Sequence, residues 1–345
     1  MKALVYYGPS DMKLAEYEKP VPKKGEVLLK SKAVGICGSD VHGYLGLTGR
    51  RIPPMIMGHE VVALVEETTL ENSRYHKGDL VFVDPIVTCK TCENCREGYY
   101  SICLNKSNIG VLEVDGAFCE YFTMVEENLI PMPDQVKPEV GVLAEPFSVA
   151  LHAVKQLTMP AGKVKTIAVI GAGVIGMCTA AVAKDIYPDA KIVIMDVAKK
   201  RLDRCRKILG TMIETEDLTA KSYEDIRAAY TGSGFDIVLE AVGVGPTVNG
   251  SLTLAKSKGE IVLIGNNQKD ISLYYQQIVT RELRVYGTYG FTHRDLEESI
   301  LKFRDRPYAA AMVDKIVPLE EAVSYFDELA GPDNDYLKII VDPTL

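Results

Sequence analysis

The sequence predicts an α/β protein of two domains, a β-rich barrel-like unit followed by a doubly wound parallel sheet. Three observations predict it. A length of 345 residues is more than one hydrophobic core usually serves. Before about residue 150 the chain reads as short strands broken by Gly, Pro and Asn, clearest at VLLKSKAV (27–34), VVALVEE (61–67) and DLVFVDP (79–85). Beyond that point strands alternate with helices, the pattern of βαβ units whose sheet is covered on both faces.

The later strands are TIAVIG (166–171), KIVIMD (191–196), FDIVLEAVG (235–243), EIVLIG (260–265) and LRVYGTYG (283–290), with helices expected over 174–187 and 198–209. Two amphipathic helical patterns and a final strand, LKIIVDP, occupy 291–345. The uncharged run 166–183 is long enough to suggest a membrane helix, but it breaks at Gly171 and Gly173. Two buried elements joined by a tight turn explain it better, and no membrane partner is expected. No long apolar core follows Lys2, so a signal peptide is not expected and the cytoplasm is the predicted compartment.

A net charge of −8 without a basic block argues against nucleic acid as a partner. Eight cysteines in a cytosolic protein point to metal ligands or buried thiols rather than disulfides.

Gly171-Ala172-Gly173-Val174-Ile175-Gly176 forms a G-x-G-x-x-G between a buried strand and an Ala-rich helix. In that context Gly171 permits the turn, Gly173 admits a pyrophosphate, and Gly176 lets helix and strand pack closely. The diphosphate then meets the first N–H groups of the helix, those of Val174 and Ile175 among them. Asp196 closes the next strand, where a carboxylate accepts ribose hydroxyls and repels a 2′-phosphate, so NAD is expected over NADP. Arg201, in the basic cluster that follows, borders this site.

Cys89, Cys92, Cys95 and Cys103 supply four thiolates at spacings that close on one tetrahedral zinc without an open position, the mark of a structural site. An iron–sulfur cluster is the competing reading; it is disfavoured because no Cys-Pro fourth ligand and no second cluster motif are present. A second constellation is GICGSDVH (35–42), Gly58-His59-Glu60 and Glu145-Pro146. Cys, His and carboxylate together offer three ligands and leave one position open, as a catalytic zinc requires.

With GICGSDVH, GHE, GDLVFVDP, the four-cysteine loop and GAGVIG all present, the chain resembles the zinc-containing medium-chain dehydrogenase/reductase superfamily, in its polyol (sorbitol-type) dehydrogenase branch. The resemblance spans essentially the whole chain. It implies a GroES-like catalytic domain over 1–150 completed by 291–345, a Rossmann NAD-binding domain over 151–290, and a cofactor in the cleft. It also implies a homodimer or homotetramer. Carried over by position, Cys37, His59 and Glu60 are implied ligands of the catalytic zinc, and Glu145 binds it directly or through water. Asp40 orients the zinc-bound His59. Ser39 and His42 form a proton relay, and hydride leaves a secondary alcohol for the nicotinamide.

The pattern departs from sorbitol dehydrogenases where an aromatic residue follows the relay His, here Gly43, and where an Arg-Tyr pair follows the last Rossmann strand, here Gly290-Phe291. An unphosphorylated polyol or vicinal diol is the expected substrate. The alternative is a sugar-alcohol phosphate of the galactitol-1-phosphate type, gripped by Arg50 and Arg51, which otherwise occupy a solvated turn or a subunit contact. A reading of another class, an inactive structural or sensor relative, is opposed by the intact Cys37/His59/Glu60 set and the Ser39–His42 pair.

Overall fold

The computed structural model describes residues 1–112, 114–331 and 334–345. It divides into two compact units, Met1–Glu145 with Thr292–Leu345, and Pro146–Phe291. The first stretch runs β1 (Lys2–Gly8), β2 (Asp11–Glu16), β3 (Glu26–Gly35), α1 (Gly38–Tyr44), β4 (Met55–Ile56), β5 (Glu60–Thr68), β6 (Leu80–Val83), β7 (Ile86–Val87), α2 (Glu93–Arg96), β8 (Ser107–Asn108), β9 (Tyr121–Val125), β10 (Leu129–Pro131) and α3 (Pro138–Gly141). Helix α4 (Ala144–Val154) follows.

The second unit then contains β11 (Thr166–Ile170), α5 (Val174–Ile186), β12 (Lys191–Asp196), α6 (Lys199–Leu209), β13 (Glu214–Asp217), α7 (Tyr223–Tyr230), β14 (Phe235–Glu240), α8 (Gly245–Leu254), β15 (Ala255–Leu263), α9 (Tyr275–Thr280) and β16 (Arg284–Gly287). The chain returns to the first unit with α10 (His293–Leu301), β17 (Val313–Val317), α11 (Leu319–Ala330) and β18 (Lys338–Val341).

In the first unit the main sheet has the order β10-β6-β5-β3-β18-β17, with β9 also on β3. Strand β3 is therefore interior, and most of its residues are buried. Two register shifts against β5 bend the pair, as bulges do. The late strand β18 pairs antiparallel with the end of β3, setting Ile340 opposite Gly35 immediately before the GICGSDVH segment. Phe326 of α11 packs edge-on against Phe118 at 5.7 Å, and Tyr44 at the end of α1 donates to Asp327 at 2.6 Å. The closing segment thus clamps α1 from outside.

In the second unit all six strands are parallel in the order β13-β12-β11-β14-β15-β16. Strand order reverses between β11 and β14, and ligands of such sheets bind outside the carboxyl ends of the strands at that reversal. Strand β14 is buried along its whole length, as a strand covered on both faces must be. The expected strands all form, with β6 ending at Val83 and β16 at Gly287, short of the apolar runs. Beyond residue 150, two strands carried no such signal: β13 reads ETED and β17 VDKIV. Both lie at sheet edges and are half exposed, so pairing with a neighbour makes them strands while their composition stays polar.

Candidate active site and metal centres

Strand β3 delivers Cys37 through a two-residue extension, and Cys37 caps α1 in an extended conformation. Asp40, in the first turn, accepts the Cys37 N–H at 3.2 Å and so fixes the approach to the helix. His59 and Glu60 stand at the head of β5, whose first residue pairs with Gly35. The consequence is that ligand atoms of Cys37, His59 and Glu60 lie within 4.8 Å of one another. Sulfur, imidazole nitrogen and carboxylate oxygen form a donor set suited to zinc, with three protein ligands and one position to spare.

The surroundings fit a cation. Asp40 is fully buried, with one carboxylate oxygen 3.3 Å from His59 Nδ1 and 3.0 Å from an Arg51 nitrogen. Burial alone would push its carboxyl up; His59 and then Arg51 more than offset this and hold it at about 2. The His59 ring turns Nδ1 toward Asp40 without an aligned hydrogen bond. Burial lowers its basicity, but Asp40 and Cys37 raise it well above the ordinary histidine range. The pocket therefore favours positive charge at the imidazole, where a divalent ion would replace the proton. Glu145, at the start of α4, lies outside the trio but is buried; desolvation and the Glu60 carboxylate push it up to about 7.

Lys338 was absent from the sequence expectations and belongs to this site. It is 3 % exposed and donates to both Glu60 oxygens, at 2.9 and 2.7 Å, and to the Ile36 carbonyl at 3.2 Å. Burial opposes its charge, yet Glu60 and Cys37 raise its pKa. Its signal in the sequence was a single lysine at the head of the apolar strand IIV. Arg51 also departs from expectation. It is buried against Asp40, neither on a solvated turn nor open to a phosphate, while Arg50 is exposed. A paired guanidinium grip on an anion is not what these residues make. Ser39 and His42, three apart on α1, share one helix face, Ser39 exposed and His42 half-buried.

The four-cysteine loop closes at its base through the β7–β8 ladder. Cys89, Cys92, Cys95 and Cys103 bring their sulfurs within 4.8 Å of one another, and none is in a disulfide. Two separations, Cys92–Cys103 at 3.9 Å and Cys89–Cys103 at 3.5 Å, bracket the ~3.8 Å that a tetrahedral zinc with ~2.3 Å zinc–sulfur bonds imposes. Backbone N–H groups of Thr91 and Cys92 draw the Cys89 thiol down to about 5, favouring the thiolate a metal needs. This donor set fits a closed structural site.

At the dinucleotide turn, a Cβ on Gly176 would sit 1.9 Å from the Gly171 carbonyl oxygen, so only glycine allows α5 to pack there. A Cβ on Gly173 would meet no protein atom within 4 Å, leaving the space beside the turn open. Val174 and Ile175 follow in the first turn of α5, half-buried. Asp196 ends β12 and ties two backbones together, accepting Ala172 N–H at 2.7 Å and Ala198 N–H at 2.8 Å. Each of its oxygens keeps a second acceptor position. Arg201 is half-buried on α6, whereas Lys199 and Lys200 are exposed.

Residues 23–134 match the family model for the alcohol dehydrogenase GroES-like domain, and residues 174–305 match that for zinc-binding dehydrogenases. The chain is 32 % identical over 298 residues to a sorbitol dehydrogenase of Bacillus subtilis, covering 85 % of this chain and 83 % of that one. Among solved structures, 2R,3R-butanediol dehydrogenase from Bacillus subtilis is 28 % identical with a TM-score of 0.87, each chain 99 % covered. A zinc-binding dehydrogenase from Sinorhizobium meliloti 1021, bound to NADP, is 27 % identical with a TM-score of 0.86 and the same coverage.

Proposed function

The chain belongs to the zinc-containing medium-chain dehydrogenase/reductase superfamily, in its polyol dehydrogenase branch, and from that premise we propose that it transfers a hydride between NAD and a secondary alcohol: an unphosphorylated polyol, vicinal diol or sugar alcohol. The observation that carries this reading is the convergence of Cys37, His59 and Glu60 beside the Ser39–His42 face of α1. When bound, zinc on that trio supplies Lewis acidity to the alcohol oxygen, and NAD accepts the hydride. Ser39 takes the hydroxyl proton and His42 passes it toward solvent. Lys338 holds the Glu60 carboxylate, and Asp40 holds the His59 ring. Glu145 would supply a further carboxylate to the zinc, directly or through water. Cys89, Cys92, Cys95 and Cys103 hold a second, structural zinc.

Loss of Arg51 to Asp40 removes the paired-guanidinium grip that a phosphorylated substrate would use, which supports the unphosphorylated class. A screen of hexitols, pentitols, vicinal diols and a hexitol 1-phosphate with NAD tests it. Turnover of a neutral polyol or diol is expected; turnover confined to the phosphate would overturn the substrate assignment.

On the cofactor side, Gly171, Gly173, Val174, Ile175 and Gly176 cradle the diphosphate, Asp196 takes the ribose hydroxyls, and Arg201 borders them. Asp196→Asn, which keeps an acceptor oxygen but loses the charge, is expected to narrow the NAD-over-NADP preference in kcat/KM by about 10–100-fold, ~1.4–2.8 kcal/mol. A wild-type enzyme preferring NADP would overturn the NAD assignment.

No helix among the described residues is long and apolar enough to cross a membrane. We place the protein in the cytoplasm, a reading supported by the use of five of its eight cysteines in metal-ligand sets rather than in disulfides. Its oligomer is a homodimer or homotetramer. Supporting this, β16 is the last strand of its sheet with no further strand paired to it among the described residues, and Tyr274, Tyr275, Val279 and Val285 nearby in the chain are exposed.

A further inference from the structure

Arg51 enters the first unit from the loop before β4 and is 8 % exposed. Its backbone is held by neighbours, since Leu112 N–H donates to the Arg50 carbonyl at 2.7 Å and Ile52 N–H to the Leu112 carbonyl at 3.3 Å. The side chain then runs along α1. Its terminal Nη2 reaches Asp40 Oδ1 at 3.0 Å and approaches the Ser39 carbonyl at 3.5 Å, while Nε is buried without a partner. Its aliphatic stem passes Gly43 so closely that a Cβ there would lie 2.7 Å from Arg51 Cγ and 3.1 Å from Nε. Glycine at 43 is thus the condition for arginine at 51. One side chain touches the relay helix at three of its residues, and its charged end terminates on the carboxylate that also holds the Cys37 N–H and faces His59.

We propose that Arg51 is a positioning residue for the catalytic metal: acting through Asp40, it fixes the His59 ring and the Cys37 end of α1 in the geometry that binds zinc. The proposal rests on the zinc reading of Cys37, His59 and Glu60. A buried carboxylate deprived of its guanidinium partner loses the contact that fixes its direction, and with it the alignment toward His59 and the Cys37 N–H. Arginine suits the task because its planar fork has one fixed direction, which a lysine ammonium lacks.

The test measures metal binding in the full-length protein, by chelator competition for zinc and by the visible absorption of the cobalt-substituted enzyme. Arg51→Met is expected to weaken metal binding at the Cys37 site by about 10–100-fold and to shift the cobalt bands, with the four-cysteine zinc retained. Arg51→Lys should recover part of the loss. Gly43→Ala, which displaces the stem without touching the charge, should fall between. Wild-type affinity and bands in Arg51→Met would overturn the proposal. If that variant does not fold, wild-type affinity in both Arg51→Lys and Gly43→Ala would do so. A wild-type protein that binds metal only at the four cysteines would instead overturn the catalytic-zinc reading itself.

Discussion

Cys37→Ala is expected to bind one zinc per chain where the wild type binds two, to remain folded, and to lose about four orders of magnitude in kcat/KM. Four orders correspond to ~5.5 kcal/mol of transition-state stabilisation, the scale on which a Lewis-acid metal contributes. The fold should survive because Cys37 caps a seven-residue helix that has other anchors: Tyr44 on Asp327 and Arg51 on Asp40. Elemental analysis, a thermal melt and steady-state kinetics on one preparation separate the possibilities. Wild-type turnover with an unchanged metal content would show that the trio is not the catalytic centre.

Cys92→Ala is expected to do the reverse, removing the other zinc and destabilising the chain. The loop from Cys89 to Cys103 contains only one four-residue helix and a single 3-10 turn, and Tyr99, Tyr100 and Ile102 are exposed rather than packed. With so little apolar burial, the metal itself must supply the folding energy of this lobe. A loss of ~4 kcal/mol lowers the thermal midpoint by about 10 °C in a unit of this size. The Cys37 zinc should remain at low temperature. The same preparation distinguishes zinc from an iron–sulfur cluster, because the wild type is expected to be colourless. An unaltered zinc content and melting point in Cys92→Ala would remove the loop from the structural role.

The centres were legible in the sequence wherever their chemistry is local. Four cysteines within fifteen residues, or glycines spaced around one turn, must act together because the chain gives them no room to separate. The GICGSDVH segment and the head of β5 could be grouped by their donor types, but their contact was not visible in the sequence; it comes from the β3–β5 register, which puts Gly35 opposite Glu60. Lys338 and Arg51 stayed hidden for a different reason. Each is an ordinary basic residue in the sequence, and its meaning arises from a carboxylate on another element: Glu60 of β5 for Lys338 and Asp40 of α1 for Arg51. Charge compensation inside a core leaves no periodic trace. Strands β13 and β17 escaped notice because an edge strand needs a hydrogen-bonding neighbour more than an apolar composition.

The place of β18 in the main sheet also sets an order of assembly during synthesis. Residues 146–291 are complete and able to fold as a unit before β18 leaves the ribosome, whereas the first unit still lacks the strand between β3 and β17. Until Lys338 arrives, Glu60 would be a buried carboxylate facing Cys37 and Glu145 with no fixed cation beside it. The first unit is therefore incomplete until its last strand pairs with β3. With the metal sites filled as proposed, the Cys37 set would reach its final surroundings only once β18 has paired with β3, whereas the four cysteines lie within one short segment and would need no later strand.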